Sequence, residues 1–204
     1  IGDYLCIVGE NGSGKSTLVK TLLGLVNEKS GNITFGEGLR RDEIGYLPQQ
    51  SAVQKDFPAS VFEVVLSGCL SRSSTIPFYS KEQKALARDN MAKMGISHLE
   101  KECFRSLSGG QQQRVAIARA LINKPDVIFA DEPTGSLDSR NREEIKQLFH
   151  DLRRDLNQTI VIVTHDASLT EVADRVVTMK DGRIIDITSK EEESCAEETT
   201  EEMA

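Results

Sequence analysis

Eight residues near the amino end constrain this chain more than any others. Gly9-Glu10-Asn11-Gly12-Ser13-Gly14-Lys15-Ser16 follows a short apolar run, Leu5-Cys6-Ile7-Val8, and opens a stretch from Lys15 to Leu25 that reads as a helix ending near Gly24. A strand, a glycine-rich turn and a helix in that order are the entry to an α/β sheet. The spacing G-x-x-x-x-G-K-[ST] has a mechanical meaning. Glycines let successive backbone N–H groups turn toward one anion, and the helix behind them adds its positive end. Lys15 then supplies a mobile charge for β- and γ-phosphates, and the Ser16 hydroxyl is suited to Mg²⁺. Nucleotide binding through Gly9, Glu10, Asn11, Gly12, Ser13, Gly14, Lys15, Ser16 and the adjacent Thr17 is the first expectation.

Two further apolar runs, Val127-Ile128-Phe129-Ala130 and Ile160-Val161-Ile162-Val163, show no alternation. Central parallel strands, buried on both faces, read this way. Asp131 and Glu132 stand at the carboxyl end of the first run, where open α/β sheets bind ligands. Asp131 is placed to serve Mg²⁺, and Glu132 to orient or deprotonate an attacking water. Ile145, Leu148, Phe149, Leu152 and Leu156 form one helical stripe, capped by Asp138 or Ser139. Asp181-Gly182, between Val176-Val177 and Ile184-Ile185, signals a closing hairpin.

The middle of the chain behaves differently. Ser60-x-x-Glu63 and Ser80-x-x-Gln83 are capping-box signatures. The helices they open are expected to run to about Gly68 and to Met94, with Gly95 as a stop. The fold expected is α/β: a P-loop NTPase core with a mostly parallel sheet and a helical lobe, 51–105, inserted in a domain spanning 1–188.

Composition then excludes several classes. The net charge is −7, but the stretch from Lys190 to Ala204 holds seven Glu against one Lys. Residues 189–204 therefore read as an acidic, solvated and disordered tail. The nearly neutral body gives no basic surface for nucleic acid, which is not expected as a partner. Cys6, Cys69, Cys103 and Cys195 are scattered without a CxxC pair, which fits a reducing setting and no zinc site. Cys6 is expected as a packed neutral thiol. No apolar stretch reaches the ~20 residues of a membrane-spanning helix.

A second glycine segment, Leu107-Ser108-Gly109-Gly110-Gln111-Gln112-Gln113-Arg114, also opens a helix, expected from Gln111 to Asn123 and stopped before Pro125. Ser108 reads as its cap, and the bare backbone as a second anion-ready helix end. With this segment the chain resembles the ATP-binding cassette ATPases of ABC transporters. The phosphate loop matches 9–16, and Gln49 in Tyr46-Leu47-Pro48-Gln49 matches the Q-loop. LSGGQ at 107–111 is the family signature, and Val127–Glu132 is the Walker B strand. Ser136-Leu137-Asp138 resembles the D-loop, and His165 in Val163-Thr164-His165-Asp166 the switch histidine.

The resemblance implies an ATPase working with ATP and Mg²⁺, the metal held by Ser16, Gln49 and Asp131. It implies a head-to-tail dimer in which Ser108, Gly109, Gly110 and Gln111 of one subunit meet the ATP on its partner's phosphate loop. Glu132, His165, Gln49 and Lys15 would carry catalysis, with neutral His165 donating to the γ-phosphate. Separate membrane permease subunits and a peripheral place on the cytoplasmic face of the cell membrane are implied as well. The family stacks adenine on an aromatic residue upstream of the phosphate loop. Only eight residues precede Gly9 here and Tyr4 stands too close, so a front segment and part of an antiparallel β-lobe are expected to be missing.

The same signature occurs in DNA-repair and translation ATPases. Those carry coiled coils, zinc-bearing insertions or paired cassettes, none of which is seen here. Phe57-Pro58-Ala59-Ser60-Val61-Phe62-Glu63-Val64-Val65-Leu66-Ser67-Gly68 and LSGGQQQR resemble zinc and manganese importers. Ala130-Asp131-Glu132-Pro133-Thr134-Gly135-Ser136-Leu137-Asp138 is closer to lipoprotein-release and macrolide exporters. The helical lobe meets the permease in this family, so divalent-metal import is the first expectation and the exporter reading the alternative.

Overall fold

The apolar runs are strands, and each feeds two cores. The computed structural model describes residues 2–36, 38–40, 43–49, 58–72 and 78–189. The strands are β1 (Tyr4–Val8), β2 (Ile44–Leu47), β3 (Val127–Asp131), β4 (Thr159–Thr164), β5 (Arg175–Lys180) and β6 (Arg183–Ser189). They form one sheet in the order β2-β3-β4-β1-β5-β6. The first five are mutually parallel, and β6 turns back antiparallel on β5. This end of the sheet is the antiparallel element of the fold among the described residues.

Side chains alternate between the faces with the period of a strand. Ile128, Ala130, Ile160, Ile162, Tyr4 and Cys6 enter one buried cluster. Phe129, Val161, Val163 and Ile7 enter the other, with Val19 of helix α1 (Lys15–Leu22). The first cluster continues without a break into helices α2 (Val61–Leu66), α3 (Lys81–Lys93), α4 (Gly109–Leu121) and α5 (Ser139–Leu156). Val61, Val65 and Met91 of the middle segment thus share a core with the sheet, and α2 and α3 pack directly on α4.

Capping chemistry sets most helix starts. Ser60, Ser80 and Ser108 each form a full capping box with the residue three positions on, and Asp138 caps α5 through the Asn141 N–H. The ends differ from expectation in three places. Helix α1 stops at Leu22 because Gly24, at φ 71°, lets Leu25 N–H reach back to Lys20 O and Gly24 N–H to Thr21 O. This 6→1 and 5→2 pair closes the last carbonyls and ends the helix. Helix α2 narrows to a 3₁₀ turn over Ser67–Arg72 instead of running as α-helix to Gly68. There Gly68 lies so close to the Arg119 carbonyl of α4 that a Cβ would collide with it. Helix α4 begins at Gly109 and ends at Leu121, two residues earlier at each end than expected.

Asp181 (φ 49°) and Gly182 (φ 75°) form the two-residue turn of the β5–β6 hairpin. Both residues at positive φ match the right-handed strand twist. The expected tail falls on residues 190–204, which lie outside the described residues, as do Phe57 and Cys195; Ser189, placed in the tail by sequence, ends β6. Cys6 is fully buried, its Sγ 3.3 Å from Leu169 O, and burial pushes its thiol up to about 12. Tyr4 is likewise buried in the core.

Phe149 of α5 is fully buried between that helix and the sheet. Truncating a buried aromatic leaves a cavity that the core only partly closes, so Phe149→Ala is expected to cost about 3–5 kcal/mol. Urea unfolding followed by circular dichroism checks this value.

Candidate functional site

Strand register brings the chemistry to one edge. Val8 pairs with Thr164 and Asp131 with Val163, so β1, β4 and β3 end nearly level. The phosphate loop, the Asp131-Glu132 pair and His165 leave from these three neighbouring ends. They surround a cavity of about 350 Å³ lined by Asn11, Gly12, Gly14, Lys15, Ser16, Thr17, Gln49, Glu132 and His165. That volume is within the range of small-molecule sites.

The loop is shaped to leave its donors open. Gly14, at φ 96°, is the N-cap of α1 and provides no side-chain cap, and no acidic residue lies in the first turn. The positive helix end is therefore free for an anion. Gly9 runs against β5 so closely that a Cβ would collide with Met179 O. The hairpin turn braces the same loop, since Gly182 N–H donates to Ser13 O at 2.9 Å. Ser13 is buried, and its hydroxyl has no hydrogen-bond partner among the described residues. Lys15, only 6% exposed, donates from Nζ to Gly9 O (2.7 Å) and Glu10 O (2.9 Å). The loop thus holds its own cation above the cavity, with Gly9 and Glu10 as supports.

Ser16 Oγ donates to Asp131 Oδ1 at 2.8 Å, tying α1 to the end of β3. Asp131 is 2% exposed. Burial pushes its carboxyl above the usual range, while the Ser16 hydroxyl and the charges of Lys20 and Lys15 pull it back. Beside it, burial and the Asp131 charge push the Tyr46 phenol up to about 12. A buried carboxylate held by a hydroxyl is a poor resting place for a charge. Together with the Gln49 amide oxygen it offers hard oxygen donors of the kind Mg²⁺ prefers. No group of three or more acidic, His or Cys side chains that would hold a metal occurs among the described residues. Mg²⁺ typically takes one or two protein oxygens plus phosphates and water, so this donor set fits it. When bound there, the ion would neutralise phosphate charge.

Glu132 sits at φ 48°, in the left-handed region, with its N–H donating to Val163 O at 2.8 Å. For a non-glycine residue this conformation costs roughly 1–2 kcal/mol. It turns the carboxylate onto the end of β4. Oε1 accepts the His165 N–H at 3.1 Å and lies 2.8 Å from His165 Nδ1, while Oε2 accepts from Thr164 Oγ1 at 3.3 Å. This contact bears on the expected role of His165. An ionised carboxylate only accepts, so Nδ1 carries the proton, and a neutral imidazole then leaves Nε2 bare. His165 cannot donate to a phosphate through Nε2 while neutral and paired with Glu132. Donation from Nδ1 would require it to leave Glu132. Thr164 was not singled out in the sequence; its place beside His165 at the end of an apolar strand was the available signal.

The remaining motif residues lie elsewhere. None of Ser108, Gly109, Gly110 and Gln111 lines the cavity. Their helix end is capped by Ser108 Oγ accepting Gln111 N–H (3.3 Å) and Gln111 Oε1 accepting Ser108 N–H (3.0 Å). This box does not use the N–H groups of Gly109 and Gly110. Ser108 is exposed and Gly110 buried. Ser136 and Asp138 are exposed and Leu137 buried, and these three also stand off the cavity walls. Asp138 accepts Asn141 N–H and the Asn141 amide, which hold its carboxyl below the usual range.

Two substitutions test the geometry of the cavity. Lys15→Ala removes the cation held over the loop and is expected to abolish triphosphate binding and hydrolysis with an unchanged circular dichroism spectrum. Glu132→Gln keeps shape and hydrogen bonding but removes a base. It is expected to slow hydrolysis by about 10²–10⁴-fold while ATP binding stays equal or tightens. Normal turnover in Glu132→Gln makes the carboxylate structural, and loss of binding assigns it to the metal.

Comparisons with known proteins agree with this geometry. Residues 1–135 match the family model described as ABC transporter. The lipoprotein-releasing system ATP-binding protein LolD of Cytophaga hutchinsonii is 39% identical over 196 residues, covering 90% of this chain and 87% of that protein. The manganese transport system ATP-binding protein MntB of Bacillus subtilis is 39% identical over 173 residues, covering 83% of this chain and 69% of that protein. A dimeric bacterial ABC transporter cassette of known structure superposes with a TM-score of 0.75 at 32% identity, over 92% of this chain and 85% of that one. The level strand ends, the phosphate loop and the acidic pair at Asp131-Glu132 are therefore those of an ATPase, and the chain belongs to the ABC transporter family of ATP-binding cassettes.

Proposed function

We propose that this ATPase powers a membrane transporter as a head-to-tail dimer, each nucleotide lying between the phosphate loop of one copy and residues 108–111 of the other. The observation that carries this reading is a mismatch within one chain. Two helix ends suited to phosphate are present, yet only that of α1 opens on the cavity. The family resemblance and the dimeric cassette of known structure support the same arrangement.

Within it, Ser16, Asp131 and Gln49 hold Mg²⁺, Glu132 orients the attacking water, and Gln49 and His165 sense the γ-phosphate. No helix among the described residues is long and apolar enough to cross a membrane. Separate permease subunits supply the channel, and the cassette works against them on the cytoplasmic face. The lobe of α2 and α3, packed on α4, is the surface that meets them.

For the cargo, release of lipid-anchored proteins is the better supported reading. Identity to LolD extends over 196 residues and 87% of that protein. The segment Ala130–Asp138 points the same way. Divalent-metal import is a second reading, carried by the manganese relative and by the 57–68 stretch.

Sedimentation of the Glu132→Gln protein with ATP and Mg²⁺ tests the dimer. A nucleotide-dependent dimer is expected, and Ser108→Arg in the same background is expected to abolish it while leaving the monomer folded and able to bind ATP. A protein that stays monomeric, or that ignores Ser108→Arg, contradicts the reading. Crosslinking from Glu63 on α2 in native membranes identifies the permease. ATPase stimulation of the captured complex by a lipidated protein supports lipoprotein release, and stimulation by manganese or zinc supply favours metal import.

A further inference from the structure

Gly110 of the signature faces a residue of another helix, and Gly109 the leucine just before that helix. Gly110 is part of α4 and is absent from the residues at positive φ, so its backbone conformation suits any residue. What a side chain lacks there is room. A Cβ on Gly110 would overlap Asn141 Oδ1 and lie 2.8 Å from its Cγ. A Cβ on Gly109 would come within 3.3 Å of Leu137 Cδ2. The first turn of α4 is therefore laid directly against the side chains of Leu137 and Asn141.

Asn141 is itself fixed. Its backbone N–H donates to Asp138 Oδ1 at 2.9 Å and its Nδ2 to Asp138 Oδ2 at 2.7 Å. With the amino half of the amide committed to Asp138, the oxygen half is left facing Gly110. The same turn of α5 is anchored on two other sides. Arg142 Nε lies 3.7 Å from Asp166 Oδ2, and Asp166 in turn holds Ser168 just after His165. Glu144 Oε2 meets Arg114 of α4 at 3.2 Å, and Arg114 also donates to the Met94 carbonyl that ends α3.

We propose that Asn141 is a positioning residue, clamped by Asp138 and pressed against Gly110, that sets where the first turn of α4 presents residues 108–111 to the partner's nucleotide. Arg142 and Asp166 connect that same turn to the segment carrying His165, so the partner-facing and γ-phosphate-facing elements share one mount. The inference rests on the proposed role of 108–111 in the dimer. A misplacement of about 1 Å at a reacting site costs as much as ~10²-fold in rate, so a loose mount is sufficient to matter.

The test uses the full chain with Asn141→Ala, Asn141→Leu, Gly110→Ala and the Gly110→Ala/Asn141→Ala pair. Asn141→Ala is expected to lower kcat about tenfold or more and to weaken ATP-dependent dimerisation in the Glu132→Gln background. The affinity of the monomer for ATP is expected to stay unchanged, which a general loss of structure would not allow. Asn141→Leu fills the space without binding Asp138 and is expected to behave like Asn141→Ala. Gly110→Ala alone collides with Asn141 and is expected to be nearly inactive. Adding Asn141→Ala to it opens that space and is expected to restore at least a few-fold of its activity.

Asn141→Ala with kcat within twofold of the parent, or no rescue in the double variant, overturns the proposal. Ser108→Arg run alongside separates the two readings. If Ser108→Arg abolishes the dimer but the Asn141 variants do not disturb it, only the clamp fails. If Ser108→Arg is also silent, the role of 108–111 fails and the clamp with it.

Discussion

The level ending of three parallel strands is the constraint on which the rest of the molecule depends. Because β1, β4 and β3 pair in a register that sets Val8 beside Thr164 and Val163 beside Asp131, three turns far apart in sequence leave the sheet at one place. A single hydrogen bond, Ser16 to Asp131, then links residues 115 positions apart and fixes the phosphate loop over the acidic pair. A slip of one residue in β3 would send every side chain of the strand to the opposite face and exchange the two cores. The alternation of Ile128 and Ala130 with Phe129 between those cores makes such a slip expensive.

The site so built is incomplete in a particular way. It keeps its charges occupied by polar groups of its own walls: Lys15 rests on the carbonyls of Gly9 and Glu10, and Glu132 rests on Thr164 and His165. The anionic oxygens of a phosphate would be stronger partners for the lysine than two neutral carbonyls. Buried Asp131, raised above its ordinary range by desolvation, stands in similar need of a cation. Unsatisfied or poorly matched polar groups in a cleft mark where ligand binding yields free energy. The second glycine-rich helix end shares none of this cavity. It is mounted instead on α5 and on the helices of the middle segment, with which it forms one continuous core.

Much of this was legible in the sequence. Elements whose cause is local could be read directly. The glycine spacing of 9–16, the capping pairs at Ser60, Ser80 and Ser108, the apolar runs of β3 and β4 and the Asp181-Gly182 turn each carry their reason within a few residues. Gly24 was legible as the stop of α1, and the helix itself ends at Leu22 because the glycine motif takes up the residue between them. What could not be read was contact between distant residues. Nothing in Val163-Thr164-His165 shows that His165 Nδ1 meets Glu132, or which nitrogen is thereby protonated. Nothing in LSGGQ shows that the Asn141 side chain lies where a Cβ on Gly110 would be. The resemblance named the roles of these segments; the packing that places them became visible in three dimensions.

The central claim is that one chain holds two unlike halves of a nucleotide site and works only when paired. The most direct measurement is the specific ATPase rate of the unmodified protein across a wide range of its own concentration, at saturating ATP and Mg²⁺. The account predicts a rate per molecule that rises with protein concentration and levels off once pairing is complete. A rate per molecule that is the same at every concentration, persisting at dilutions where sedimentation shows only monomer with ATP bound, would contradict it.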